Sequence, residues 1–173
     1  MLPIGAGEKL RDEYQDFGTK RTRGGLTYTH KGVDISGGDG KSYTVLSPVA
    51  GVVVYAKSSP TFWPAVLVIQ TGAGVFHRFG HLAPDSLLPV GSVVGPFSPL
   101  GRTSSNEENR RYAQAHGIDT MGAHVHYEIT TDGPLPNPDS WPAGYRDPAY
   151  FLKTGLYTSR RASGRKYPMR FKP

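Results

Sequence analysis

Two imidazoles separated by one valine, His124-Val125-His126 in the stretch GAHVHYEIT, are the residues whose type and spacing most readily suggest chemistry. On a β-strand alternate side chains share a face, so positions 124 and 126 point the same way, about 6.6 Å apart at the usual rise. Val125, Tyr127 and Ile129 alternate with them and are β-branched or aromatic, which favours a strand with one basic face and one apolar face. A second pattern, His30-x-x-x-Asp34 in HKGVDIS, sets an imidazole four residues before a carboxylate. Fully extended, the two would lie about 13 Å apart, whereas donors on one tetrahedral zinc lie about 3.3 Å apart. Both can hold one ion only if the chain bends at Gly32, and glycine permits such a bend.

A His, Asp and His set with an open fourth position is the composition of a catalytic zinc site rather than a structural one. An ion held in this way lowers the pKa of water and supplies a nucleophile without a covalent enzyme intermediate. One histidine of the 124/126 pair would complete the set, and the other, on the same face, is placed to touch the water or a developing oxyanion. Either pattern alone has an ordinary explanation as a surface or core histidine. Together, in a chain with no cysteine to build a thiolate site, they point to metal. His77 and His116 read as structural or surface residues.

The elements that must position these groups are short. At 173 residues the chain fits one domain with a real core. Its 22 glycines, 15 prolines and 11% aromatics, with few long helical periodicities, predict many short strands joined by tight turns. The expected class is mainly β, an antiparallel sheet with few short helices. Strands are expected at Tyr43–Leu46, Gly51–Lys57, Ala65–Thr71, Val75–Leu82 and His124–Thr131, and Thr71-Gly72-Ala73-Gly74 reads as the hairpin turn between the third and fourth. Ser105 followed by Glu108 is a capping-box signal, so a surface helix is expected between Gly101 and Gly122, stopping at Gly117. A helical segment is also expected around Lys9–Phe17, ending at Gly18, and a short helix from Asp147-Pro148 through Leu152. The expected division is an N-terminal segment 1–16, a metal-binding body 17–155 and a basic tail 156–173.

The net charge of +6 is unevenly placed: Arg160, Arg161, Arg165, Lys166, Arg170 and Lys172 lie in a tail with no acidic residue, and the body is close to neutral. Such a tail suits an anionic polymer or a neighbouring chain, and equally a solvated terminus. Binding of nucleic acid finds little support, because no aromatic stacking stripe accompanies the charge. No run approaches the roughly 18 apolar residues of a membrane span. The N-terminus shows no basic region followed by an apolar one, so no signal peptide is visible, which fits export by another route and fits a fragment equally well.

Five blocks in order, HKGVDIS, SPVAGVVVYA, FGHLAP, VGSVVGPFSPLGRTS and GAHVHYEI, resemble the LytM/lysostaphin-type zinc endopeptidases, which cut peptide cross-links of bacterial peptidoglycan. The resemblance runs from about Phe17 to Leu152. It implies an antiparallel sheet under a long substrate groove, Zn2+ as cofactor, His30, Asp34 and His126 as its ligands, and His124 and His81 as the residues that assist water and stabilise the tetrahedral intermediate. It implies action at the cell wall or periplasm, or from a virion. The chain departs from the family pattern at Ser104–Met121, where extra residues precede the His-x-His and predict an inserted helix beside the groove. The competing reading is a non-catalytic regulator or virion structural component on the same fold, since some relatives of this kind have lost ligands.

Overall fold

β-Branched and aromatic runs punctuated by Gly, Pro and Ser favour extended chain between tight turns, and the strands form there. The computed structural model describes residues 9–10, 17–23, 25–134 and 144–154. In chain order the strands are β1 (Lys9–Leu10), β2 (Lys20–Arg23), β3 (Leu26–Thr29), β4 (Val33–Ser36), β5 (Thr44–Leu46), β6 (Gly51–Ser58), β7 (Ala65–Gln70), β8 (Phe76–Leu82), β9 (Val93–Val94), β10 (Pro99–Arg102), β11 (Val125–Thr130) and β12 (Tyr145–Arg146). Helix α1 (Asn106–His116) lies between β10 and β11, and α2 (Pro148–Thr154) follows β12. The five expected strands are present, each within about one residue of its expected ends.

The main sheet is antiparallel, in the order β1-β4-β11-β8-β7-β6-β9, and β12 continues the edge of β11 beyond the part that β4 covers. β2 with β3, and β5 with β10, form separate two-stranded ribbons. β7 is buried on both faces: Leu67 and Ile69 join the main core with Val33, Ile35, Phe79, Val125 and Tyr127, while Val66 and Val68 pack with Phe62 on the other side. Continuous rather than alternating apolar residues in AVLVIQ are the sequence mark of such a doubly covered strand.

Two expectations need correction. Lys9–Leu10, expected to open a helix, instead pair with Ser36 and Ile35 as an outer strand; the edge of β4 offers unpaired backbone groups that a passing segment satisfies. Residues 11–16 and the basic tail from 156 onward lie outside the described residues. The ribbon β2–β3 was not among the expected strands; four register pairs from Lys20–Thr29 to Arg23–Leu26 hold it. The two helices form as expected. α1 carries a complete capping box between Ser105 and Glu108 and ends at Gly117, whose φ of 64° is the left-handed conformation suited to glycine.

Candidate active site

Strand register assembles the site. His126 on β11 lies directly opposite Asp34 on β4 and, on its other side, opposite Gly80 on β8. Residues opposed in this way share a face, so Val125 and Tyr127 enter the core while His124, His126 and Glu128 line a cleft of roughly 1580 Å3. The chain bends at Gly32 before β4 begins. A Cβ at Gly32 would collide with the Tyr127 carbonyl oxygen and come within 2.8 Å of His126 Nε2, so glycine is needed for close approach to β11. The bend thereby brings His30 back onto Asp34.

The resulting donor atoms converge. His30 Nε2 lies 3.1 Å from His126 Nδ1 and 3.3 Å from Asp34 Oδ1, and His126 Nδ1 lies 2.8 Å from Asp34 Oδ1. Donors on a tetrahedral zinc are separated by about 3.3 Å, so these separations suit one small cation. The partner of the other ring nitrogen strengthens the fit. A carboxylate only accepts, so the Glu128 Oε1 atom 3.0 Å from His126 Nε2 fixes the hydrogen there and directs the Nδ1 lone pair at the group. Behind Glu128 stands Arg78, fully buried, whose Nη1 donates to Glu128 Oε2 at 3.1 Å and whose guanidinium also donates to the Gly133 and Pro134 carbonyls. Arg21, from β2, donates from Nη1 to Asp34 Oδ2 at 2.9 Å and leaves Oδ1 toward the histidines.

Electrostatics follow from this packing. Burial opposes the Asp34 charge, yet hydrogen bonds with His126 and His30 hold its carboxyl well below the ordinary range. Burial also opposes a charge on His126, but Asp34 and Glu128 together lift its pKa to about 9. With no cation among them, a proton on His126 satisfies the carboxylates, and a metal would have to displace it. Burial pushes His30 down, with the His126 charge adding to it against the pull of Asp34.

His81 and His124 flank the group. Their rings are 4.6 Å apart between centroids, His81 lies 6.0 Å from the His126 ring, and His124 Nε2 lies 3.7 Å from Asp34 Oδ1. Each Nδ1 faces a backbone carbonyl, Trp63 for His81 at 2.6 Å and Gly122 for His124 at 2.7 Å. Carbonyls only accept, so a hydrogen sits on Nδ1 of each ring and Nε2 is turned away from the carbonyl. His81 is kept neutral first by burial and then by the neighbouring His124 and His126.

A break in the ladder places His81 there. β7 pairs Ala65 with Leu82 and Val66 with Gly80, so His81 is the extra residue of a bulge, and its φ is 65°. Without the bulge, alternation from Phe79 would send His81 into the core; with it, His81 turns to the cleft and Leu82 takes the core position. Gly80, beside it, has no Cβ to oppose Phe62, which packs over it and stacks on the His126 ring at 5.6 Å.

Thus His30, Asp34, His81, His124 and His126 are brought together, and the other two histidines are not. His77 is fully buried on the core face, its Nδ1 2.6 Å from the Tyr127 hydroxyl, and burial pushes its pKa to about 3. His116 is exposed on α1 and stacks on Tyr112. Sequence reasoning missed Arg21, Arg78 and Glu128. Glu128 had a signal, since it sits two residues after His126 on the same strand face; the two arginines, far away in the chain, had none.

Comparison with known proteins agrees with the fold. The catalytic domain of lysostaphin from Staphylococcus simulans superposes with a TM-score of 0.59 at 19% identity, over 85% of this chain and 93% of that one. A chain of the SpoIIIAH and SpoIIQ complex gives 0.59 at 20% identity over 82% and 98%. The catalytic domain of the prophage-encoded M23 protein EnpA from Enterococcus faecalis gives 0.52 at 20% over 82% and 96%. Among curated proteins none matches the chain. The model of peptidase family M23 matches residues 28–138, a span that holds all five converging residues, and the chain belongs to that family.

Proposed function

We propose that the protein is a zinc-dependent endopeptidase that hydrolyses peptide cross-links of bacterial peptidoglycan, acting at the cell wall. The observation that carries this reading is the convergence of His30 Nε2, Asp34 Oδ1 and His126 Nδ1 within 3.3 Å of one another, beside the imidazoles of His81 and His124. His30, Asp34 and His126 would hold Zn2+. When bound there, the ion supplies Lewis acidity that polarises a peptide carbonyl and makes water more acidic.

The chain's own groups do the rest. Nε2 of His124 or His81 accepts the proton of the attacking water and returns it to the departing amine, with Nδ1 held by the Gly122 or Trp63 carbonyl so that the ring stays aimed. The second imidazole, near the first, offers charge or a hydrogen bond to the oxygen of the tetrahedral species. Glu128 and Arg78 keep His126 oriented, and Arg21 keeps Asp34 turned with one oxygen toward the histidines.

Incubating the purified chain with defined muropeptides, with and without a chelator, and weighing the products tests the proposal. Zinc-dependent cleavage of a cross-link is expected. A second reading, a non-catalytic regulator or structural component, draws support from the likeness to a chain of the SpoIIIAH and SpoIIQ complex. A chain that binds one zinc and leaves every muropeptide intact would favour it.

A further inference from the structure

Helix α1 touches both flanking histidines' supports without reaching the cleft group itself. The ring of Tyr112 stacks on Trp63 with centroids 5.3 Å apart and planes 4° from parallel. Trp63 is the residue whose carbonyl faces His81 Nδ1, and its ring also meets the His81 ring edge-on at 6.2 Å. His116, one turn further along α1, stacks on the Tyr112 ring at 4.0 Å, which braces it. At the other end of the helix, the Ser104 N–H donates to the His81 carbonyl at 3.1 Å. Asn106 Oδ1 accepts from the Ala123 N–H at 2.6 Å, one residue before His124 and one after the Gly122 carbonyl that orients it.

We propose that α1 positions the two flanking imidazoles of the site: Tyr112 holds the Trp63 carbonyl against His81, and Asn106 holds the 122–123 segment against His124. Both are positioning residues, since neither lines the cleft. The argument is one of geometry. Each imidazole is aimed by a single carbonyl on an irregular segment, 61–63 or 122–123, and irregular segments are not held by a ladder. α1 is the body that grips both, and its N-terminal end is secured by the capping box and by the Arg102 guanidinium, which donates to Glu108 and Asp85.

The inference rests on the proposed endopeptidase reading for its kinetic arm, and a second arm does not depend on turnover. With the zinc-loaded chain and muropeptide substrate, Tyr112→Ala should lower kcat by about tenfold, the scale at which an aromatic stack of this kind acts, with KM and zinc stoichiometry unchanged. Tyr112→Phe should restore kcat. By NMR, the His81 Nδ1 proton should be protected from solvent exchange in the wild type and in Tyr112→Phe, and exchange faster in Tyr112→Ala. Should Tyr112→Ala fail to fold, Asn106→Ala carries the same test on the His124 ring proton. If wild type cuts no muropeptide, the endopeptidase reading fails and the ring-proton arm still decides the positioning role. An unchanged ring proton in Tyr112→Ala, or a change confined to KM, overturns the inference.

Discussion

His77 and His81 lie four residues apart on β8, a spacing that on a pleated strand gives two side chains one common face. His77 keeps that rule: it is fully buried, bonded to Tyr127 and neutral. His81 breaks it, because the bulge against β7 inserts one residue and turns the ring into the cleft. The residue type is the same, but His77 is fully buried and His81 half-buried at the cleft, and the difference in placement resides in the backbone. Within β8, the histidine at the interruption of the ladder faces the cleft and the one in the intact ladder is a polar core residue.

The contrast can be broken at either histidine. The largest expected effect is at His81: His81→Ala should reduce turnover by about 10²- to 10⁴-fold, the usual range for a positioned acid or base, while zinc content stays at the wild-type value and His77→Gln leaves turnover within a few-fold. Next comes the support of the neighbouring strand. Arg78→Met leaves the Glu128 carboxylate buried beside a neutral side chain, and should cost about 3–5 kcal/mol in denaturant unfolding, as for other broken buried pairs. Glu128→Ala should weaken zinc binding by about 10- to 100-fold in chelator competition, because His126 loses the group that orients it.

A smaller effect appears with pH at His77. Its folded pKa of about 3 is depressed below the ordinary value, so below pH 6.5 the unfolded chain binds the proton that the folded chain refuses. Stability from this group is therefore complete above pH 6.5 and lost as pH falls toward 3, by about 2 kcal/mol at pH 5. Urea unfolding at pH 7.5 and pH 5 should show that loss in the wild type and a loss smaller by about that amount in His77→Gln. The smallest effect sharpens the point about backbone: at a φ of 65°, His81→Gly should be more stable than His81→Ala by about 1 kcal/mol, with turnover reduced alike in both.

Much of this was legible beforehand, for reasons that can be named. Val125, Tyr127 and Ile129 alternating with polar residues gave β11 and the face of its histidines, and Ser105 with Glu108 gave the start of α1. The bend that unites His30 with Asp34 was readable from Gly32, although the deeper need there is room for β11. The bulge at His81 was not readable, because it is a property of pairing between β7 and β8 and leaves no mark in either strand alone. The arginines behind Asp34 and Glu128 come from β2 and β8 through tertiary contact, and no periodicity announces that. β1 escaped because two residues are too few to show a period.

Asp34, His126 and Gly80 stand in one row across three strands whose order in the chain is first, third and second. The middle strand of that row is the last of the three to be synthesised, so neither half of the row exists until β11 slots between its two neighbours. A nascent or clipped chain ending before residue 125 therefore holds His30 and Asp34 but no third donor, and a slip of one residue in β11 would turn His126 into the core. The converging group is therefore complete only once β11 has paired in register with both neighbours.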